Sequence, residues 1–220
     1  MLKKLYSWFH GMISKPDERG EYSGGHWQDM VRREALAACG GIRGRLLEVG
    51  CGEGLFLAAV ARANPGAEIY GVDNNMGRII LAKRRIDSFG LKNVTVLLQE
   101  APVINFKDGY FDVAACLNVF YNMPSAEMME ETLAQMKRVC RTGGRIIFDF
   151  RNSRNLLIVL KYRFARYYDD TAKNLSLNTY APGFIKDMVE GLGLEIVSEK
   201  PVGFRFKAFA PVIIVEARKI

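Results

Sequence analysis

The 220-residue sequence predicts a doubly wound α/β protein with a mostly parallel sheet and helices on both of its faces. From Arg45 to Phe150, short apolar runs alternate with amphipathic stretches, and the connections between them are short. That alternation is typical of parallel strands joined by right-handed helical crossovers. Hydrophobic residues make up 49% and charged residues 25% of the chain, a balance that excludes disordered and fibrous architectures.

Five apolar runs in this region have the length and composition of buried parallel strands. They span residues 45–49, 68–72, 94–98, 111–117 and 145–150. Three amphipathic helices are expected between them, spanning residues 55–63, 76–90 and about 125–141. Asn64-Pro65-Gly66, Gly90 and Gly143-Gly144 are interpreted as the ends of these helices, and Ser125 as the N-cap of the third.

The alternation stops after Phe150. Residues 151–181 form a basic and aromatic insertion that we expect to be irregular and to act as a lid over the substrate. A short helix at 183–192 and strands at 194–198 and 212–217 follow. The link between those strands contains prolines and no helical period, so the last strand is expected to run antiparallel to its neighbour. We therefore divide the chain into an N-terminal helical cap at 1–44 and a main domain at 45–220.

The segment Met1–Ile13 has an amphipathic helical pattern with lysines off its apolar stripe. Such a helix is expected either to pack on its own domain or to lie on a membrane surface. Although Met-Leu-Lys-Lys opens like a signal peptide, polar residues interrupt the apolar region and no small-residue cleavage site follows. No stretch approaches the roughly 18 apolar residues that a membrane span needs.

Four widely spaced cysteines and two histidines offer no zinc-binding motif. We therefore expect no metal site and a reduced, cytoplasmic protein. The formal net charge of +7 suits an anionic partner such as RNA, an acidic lipid surface or a phosphorylated substrate. A modest basic excess on an ordinary soluble surface explains the same number equally well.

A glycine-rich turn, Gly50-Cys51-Gly52-Glu53-Gly54, directly follows the first predicted strand. Alternating glycines let the backbone turn tightly and approach a ligand, which predicts a nucleotide site at the carboxyl end of that strand. The spacing differs from the G-x-G-x-x-G of dinucleotide sites. Glu48, at the end of the strand, would repel a pyrophosphate and attract a ligand with an ammonium and a sulfonium group, as in S-adenosylmethionine. Asp73, about 20 residues past the loop, is placed to accept both ribose hydroxyls.

These motifs, in this order, resemble those of class I S-adenosylmethionine-dependent methyltransferases. The resemblance covers residues 45–217 and rests on the segments 48–54, 71–73, 99–101, 111–113 and 141–144. It implies a seven-stranded sheet whose last strand is antiparallel, in agreement with the pattern of strands above. S-adenosylmethionine is the cofactor that it implies.

The resemblance also implies a cofactor-binding role for residues at or just after the ends of the first four strands. These are Glu48, Gly50, Cys51, Gly52, Asp73, Asn74, Met76, Glu100, Ala101, Leu117 and Asn118. The residues around the glycine loop would surround the methionine part, and Asp73 would hold the ribose. Residues 74, 76, 100 and 101 would lie near the adenine, and residues 117 and 118 would face the methionine and the transferred methyl.

The acceptor side of the site is less strongly marked in the sequence. His26, as a base, and Tyr121 are the candidate catalytic residues; Tyr22, Trp27 and Tyr180 are candidate substrate contacts. A surface turn with a packing tryptophan is the alternative interpretation of the segment around His26. A general base is needed only for acceptors that must lose a proton.

Methyl transfer to a small or lipid-like acceptor is the leading hypothesis, because aliphatic residues lead the insertion at 156–160 and favour a hydrophobic pocket. An RNA methyltransferase is the first alternative, suggested by the positive charge and the aromatic residues of the insertion. However, Asn118-Val119-Phe120-Tyr121 lacks the prolines of the Asn-Pro-Pro-Tyr motif found in amino-methylating relatives. A non-catalytic S-adenosylmethionine-binding protein is the second alternative. Glu48 argues against a nicotinamide dehydrogenase.

Overall fold

A seven-stranded sheet forms the centre of the protein in a computed structural model, which describes residues 26–168, 175–203 and 206–220. The strands are β1 (Arg45–Val49), β2 (Glu68–Asp73), β3 (Val94–Leu98), β4 (Phe111–Cys116), β5 (Cys140–Arg151), β6 (Leu194–Val202) and β7 (Val212–Lys219). Their order across the sheet is β3-β2-β1-β4-β5-β7-β6. Only β7 is antiparallel to its neighbours β5 and β6, so the predicted fold class is confirmed.

Six α-helices lie within the described ranges. They are α1 (His26–Ala38), α2 (Leu55–Ala63), α3 (Met76–Ser88), α4 (Ala126–Val139), α5 (Leu156–Tyr168) and α6 (Pro182–Gly191). Helices α1 to α3 bury their apolar sides against one face of the sheet, whereas α4 and α6 cover the other. Both faces of the parallel strands are therefore buried, which explains why those strands are continuously apolar in sequence.

The direction in which the sheet is built reverses between β1 and β4. From β1 the chain builds β2 and β3 on one side, and it then crosses to build β4 and β5 on the other. The loops that leave the carboxyl ends of β1 and β4 consequently run to opposite faces and leave a crevice between them. Open α/β sheets bind their ligands at such a point.

Strand β5 begins five residues earlier than the sequence pattern predicts, and α4 ends earlier, at Val139. The interpretation of Gly143-Gly144 as the end of this helix is therefore wrong, since both glycines lie within β5. Cys140 already pairs with Phe111 of β4. A Cβ atom on Gly144 would come within 2.5 Å of the Cys140 sulfur, so glycine is needed there for close packing and not as a helix stop.

The insertion at 151–181 is not irregular throughout, because it contains the thirteen-residue helix α5. Its two ends lie side by side: Asn152 and Tyr180 form a parallel bridge, and the Tyr180 N–H donates to the Arg151 carbonyl at 2.8 Å. The insertion thus leaves and rejoins the domain at the carboxyl end of β5, close to the crevice.

Helix α1 packs onto the main domain through Val31 and Ala35, which are fully buried. Trp27 lies against Gly203, where a Cβ atom would overlap its ring, so this tryptophan is a packing residue. The segment Met1–Ile13 and Tyr22 lie outside the described residues. Within the described residues, no helix has the length and apolar character needed to traverse a bilayer.

Candidate active site

A cavity of about 490 Å³ lies at the carboxyl ends of the central strands, where the sheet reverses direction. Ten of the predicted cofactor residues line it: Glu48, Gly50, Cys51, Gly52, Asp73, Asn74, Glu100, Ala101, Leu117 and Asn118. Met76 does not, and 54% of its side chain is exposed at the start of α3. Of the acceptor-side candidates, Tyr121 lines the cavity, whereas the exposed His26 and the buried Tyr180 do not.

The glycine loop is pulled tightly against the end of β2. The N–H groups of Gly50 and Cys51 both donate to the Val72 carbonyl, at 2.8 and 2.9 Å. Gly50 has a φ of 73°, and a Cβ there would lie 2.4 Å from the Val119 side chain. Only glycine tolerates both that left-handed backbone and that contact. The loop therefore brings its backbone close to the cavity.

Asp73 connects the glycine loop to the start of α3. One carboxylate oxygen accepts the Gly52 N–H and the other accepts the Asn75 N–H, both at 2.9 Å. The side chain is 5% exposed yet borders the cavity. Each carboxylate oxygen can accept more than one hydrogen bond, so the residue retains acceptor capacity toward a ligand.

Glu48 is a buried carboxylate at the floor of the cavity, with 3% of the residue exposed. Its neighbours across the sheet are Gly71 and Ala115, whose small size leaves room for the side chain. One of its oxygens, Oε2, has no hydrogen-bond partner among the described residues. Burial raises the pKa of Glu48 well above its ordinary value, the Arg32 guanidinium opposes that shift, and Asp73 adds to it.

A carboxylate in that position is costly for the empty protein. Removing an anion from water without full hydrogen bonding disfavours its charged form. A cationic ligand in the cavity would supply the missing partner and favour ionised Glu48. The orphaned oxygen is therefore the observation that fits this site to a cosubstrate carrying ammonium and sulfonium charges.

Arg32 and Gln28 also line the cavity, and the sequence pattern did not identify either of them. They lie one turn apart on α1, so both project from the same side of that helix. That spacing of two long polar side chains, on a helix that otherwise packs against the core, is the signal that would have found them. The N-terminal segment thus contributes a cation and an amide to the cavity wall.

A buried polar cluster stands behind the loop that follows β4. Arg151 and Asp149, 2% and 1% exposed in their side chains, form an ion pair. The Arg151 guanidinium also donates to the Asn118 side-chain oxygen at 2.9 Å and to the Tyr162 hydroxyl at 3.0 Å. Burial raises the pKa of Asp149, and the charge of Arg151 opposes that shift.

This cluster fixes two residues of the cavity wall. Asn118 has a left-handed backbone with a φ of 59°, and its N–H donates to Asp149. The Arg151 guanidinium carbon lies over the Tyr121 ring, 4.3 Å from the centroid of that ring. The Tyr121 hydroxyl accepts a hydrogen bond from the Gln28 side chain at 2.9 Å. Alternation along β5 places Asp149 and Arg151 on one face of the strand, a pattern from which the pair could have been predicted.

Apolar residues also contribute to the cavity wall. Met123, Met128 and Leu175 line it together with Pro124, and so does Asn122, whose buried Oδ1 has no hydrogen-bond partner among the described residues. Asn178 holds the two chain segments together: its N–H donates to the Tyr121 carbonyl and its side chain to the Met123 carbonyl, both at 2.7 Å. Residues from the insertion therefore build part of the wall next to Tyr121.

None of the cysteines is suited to act as a nucleophile. All four are buried and free, and burial raises the pKa of each thiol, to about 12 for Cys39 and about 11 for Cys140. A neutral buried thiol is a poor nucleophile and a poor metal ligand. Among the described residues there is no group of three or more histidine, cysteine or acidic side chains that could hold a metal ion.

The chain resembles known proteins both in sequence and in structure. It is 25% identical to a phosphatidylethanolamine N-methyltransferase of Cereibacter sphaeroides, over 83% of this chain and 85% of that one. It is 31% identical to a ubiquinone biosynthesis O-methyltransferase of Alkalilimnicola ehrlichii over 62% of this chain, although it spans only 54% of that enzyme.

Two solved structures have the same fold. An S-adenosylmethionine-dependent methyltransferase from Aquifex aeolicus aligns with a TM-score of 0.66 at 17% identity, covering 97% of this chain and 98% of that one. The magnesium protoporphyrin IX methyltransferase of Synechocystis aligns with a TM-score of 0.68 at 18% identity, covering 99% and 95%. A family model described as a methyltransferase domain matches residues 43–181. Because that match covers more than half of the chain, the protein belongs to this family and is an S-adenosylmethionine-dependent methyltransferase.

Proposed function

We propose that the enzyme methylates a lipid-like acceptor whose apolar part occupies the Met123, Met128 and Leu175 end of the cavity. The observation that carries the proposal is that charged residues such as Glu48 and apolar residues such as Met123 and Met128 line the same cavity. A polar cosubstrate and an apolar acceptor would then meet near Asn118. The relative that acts on phosphatidylethanolamine supports an acceptor of this class.

The charged end is proposed to hold the cofactor. Glu48 pairs with the ammonium group of the methionine part, and Arg32 with its carboxylate. Asp73 accepts the ribose hydroxyls, using the acceptor capacity that its two backbone hydrogen bonds leave. Asn74, Glu100 and Ala101 surround the adenine, all of them residues of the cavity wall.

The chemistry of this proposal depends mainly on orientation. The bound cofactor supplies a methyl group already activated on a sulfonium. Asn118 and Tyr121, fixed by Arg151, align the acceptor with that methyl, and the apolar wall excludes water. Correct orientation of two reactants contributes up to about 7–11 kcal/mol to lowering a barrier. Neither His26 nor Tyr180 borders the cavity, so the proposal assigns no general base to them.

RNA is the competing acceptor, and the net charge of +7 is the observation in its favour. An RNA-binding enzyme neutralises many phosphates, so its affinity for RNA falls steeply as salt rises. Steep salt dependence together with methyl transfer to RNA would replace the lipid proposal.

The proposal is tested with S-adenosylmethionine carrying a labelled methyl group and a total extract of membrane lipids, soluble metabolites and RNA. The label is expected in the lipid fraction; label confined to RNA or to water-soluble metabolites would refute the lipid assignment. Glu48→Gln is expected to lose the transfer. Glu195→Gln, the same change at an exposed position on β6, is the matched control and should keep it.

A further inference from the structure

The outer face of α5 exposes a stripe of large apolar side chains. Leu156 and Leu157 are 72% and 69% exposed, and Leu160 and Phe164 are 51% and 50% exposed. The opposite side of the same helix is buried, with Ile158 and Ala165 at 3% and 4%. One apolar face of the helix is therefore buried in the protein, and a second apolar face is exposed.

A turn between β6 and β7 extends this stripe. Phe206 and Phe209 are 74% and 66% exposed. The side chain of Asn155, at the start of α5, donates to the Phe209 carbonyl, and the Asn152 side chain donates to the Ala210 carbonyl at 2.9 Å. We call the combined surface the apolar patch; it consists of Leu156, Leu157, Leu160, Phe164, Phe206 and Phe209.

The chain around the apolar patch is basic. Apart from the buried and paired Arg151, residues 152–170 contain four arginines and lysines and two aspartates, and residues 199–211 contain three arginines and lysines and one glutamate, so both segments have a net positive charge. On a helix of 3.6 residues per turn, Lys161 and Arg163 lie on the two opposite flanks of the exposed stripe. Apolar residues in the centre with basic residues at the edge are the arrangement of helices that lie in a membrane interface.

We propose that the apolar patch docks the enzyme on a bilayer containing anionic lipids. Basic residues at the rim would meet the acidic headgroups while the leucines and phenylalanines enter the acyl boundary. A second copy of the chain fits the patch less well, because its own basic rim would face this one and like charges repel. RNA fits less well too, since it offers no apolar surface for three exposed leucines.

The patch lies on the same helix as a residue of the active-site cluster. The Tyr162 hydroxyl accepts from Arg151, and the Tyr162 ring stacks on Tyr121 at 5.9 Å. Tyr162 lies on the side of α5 opposite the patch, so docking would place the cavity wall one helix diameter, about 10 Å, from the bilayer. This consequence rests on the proposed lipid-like acceptor, whereas the docking itself does not.

The test is sedimentation of the full-length protein with vesicles of phosphatidylcholine alone or of equimolar phosphatidylcholine and phosphatidylglycerol. We expect preferential binding to the anionic vesicles. The double variant Leu157→Ser/Leu160→Ser should bind them about tenfold more weakly or worse. The matched control Leu98→Ser/Val197→Ser alters two comparably exposed side chains at the far edges of the sheet and should bind normally.

A second pair of variants tests the charge. Arg154→Gln/Arg163→Gln removes two exposed arginines and should weaken binding to anionic vesicles by about fivefold per charge, with little effect on any binding to neutral vesicles. Cofactor affinity, measured by calorimetry, should be unchanged in every variant, which shows that they fold. Absence of vesicle binding by the wild type, or equal binding by the leucine variant, would overturn the inference.

Two further measurements separate the other occupants. If the wild type is a dimer that the leucine variant dissociates, the patch is an interface between copies. If the arginine variant loses RNA binding while vesicle binding is absent, the basic rim serves RNA; either result refutes bilayer docking. If the enzyme methylates a soluble acceptor and does not bind vesicles, the docking inference is refuted although the protein remains a methyltransferase. If it binds vesicles but methylates only RNA, only the proposed function is refuted.

Discussion

Glu48 is the residue on which the account of the cofactor site depends most. Its Oε2 atom is buried without a hydrogen-bond partner among the described residues, and burial raises its pKa. The folded, cofactor-free protein therefore favours the neutral acid more than the unfolded chain does. Stability is then lost as the pH rises from the ordinary carboxyl range through the raised pKa, and a cationic ligand reverses that loss.

Replacement of Glu48 by glutamine should separate stability from binding. Glu48→Gln keeps the shape and removes the charge, so the free energy of unfolding of the cofactor-free protein at neutral pH should rise by about 1–3 kcal/mol. Affinity for S-adenosylmethionine should fall about 10- to 100-fold, because hydrogen bonds to charged groups contribute about 1.5–3 kcal/mol. Denaturant unfolding and calorimetry measure the two effects. A variant that is less stable and binds normally would show that Glu48 is a structural residue.

Asp73 has a structural role in addition to the proposed ribose contact, and its substitution should show both. Asp73→Ala leaves the N–H groups of Gly52 and Asn75 without their acceptor. We expect a loss of about 1–3 kcal/mol of stability together with weaker cofactor binding. Sequence reasoning alone predicts loss of binding with an intact fold, since it shows the carboxylate but not its backbone partners. Unfolding curves and calorimetry on the same preparation test this; unchanged cofactor affinity would remove Asp73 from the site.

At the scale of the element, α5 is connected to the active site through the buried arginine. Tyr162→Phe removes one hydrogen bond to a charged group and should cost about 1.5–3 kcal/mol of stability. If α5 positions the acceptor wall, the variant should also raise the KM for the acceptor while leaving cofactor affinity unchanged. Tyr70→Phe, which removes hydroxyl contacts on β2 remote from the cavity wall, is the control. Equal kinetic parameters for the two variants would reduce Tyr162 to a structural residue.

Sequence patterns predicted the elements that are buried on one face or on both faces. They missed the elements whose bounds or apolar residues follow neither pattern. The bounds of α2 and β1 agree with the patterns because apolar periodicity and flanking turns mark them clearly. Helix α5 was not predicted because apolar residues occupy both its buried and its exposed faces, which leaves no helical period in its hydrophobicity. The start of β5 was predicted wrongly because it is set by the pairing of Cys140 with Phe111, two residues that are distant in the sequence.

The same distinction applies to the site. Glycine spacing and the carboxylates at strand ends predicted the glycine loop, Glu48 and Asp73, because these follow directly from the order of strand, loop and helix; the resemblance to a known family implied the other predicted residues that line the cavity. Arg32, Arg151 and Tyr162 depend on how the N-terminal helix and the insertion fold back over the loop after β4. Local patterns can mark Arg32 and Arg151 as polar residues on otherwise buried elements, but they do not show that these elements meet at that loop.

At the scale of the whole molecule, the family match confirms the predicted enzyme class and cofactor, and the sheet order confirms the predicted fold. Cofactor binding at the proposed site would connect loops from several strands, so it should stabilise the domain as a unit. At a concentration 100 times its Kd, S-adenosylmethionine should add about 2.7 kcal/mol to the free energy of unfolding. Thermal unfolding with and without the cofactor measures this, and a melting temperature that does not change would contradict it.

The most direct test of the central claim, that Glu48 selects a cationic cosubstrate, is the pH dependence of S-adenosylmethionine affinity. The charged groups that face Glu48 are Arg32 on α1 and Asp73 on β2, while burial raises the pKa of the nearby Cys51 and Cys116 thiols and keeps them neutral. Because the cation requires ionised Glu48, affinity should rise with pH until the raised pKa is passed, and binding below that point should release a proton. Calorimetry in buffers of different ionisation enthalpy should detect that proton with the wild type and not with Glu48→Gln. The same pH profile and proton release in both proteins would contradict the account.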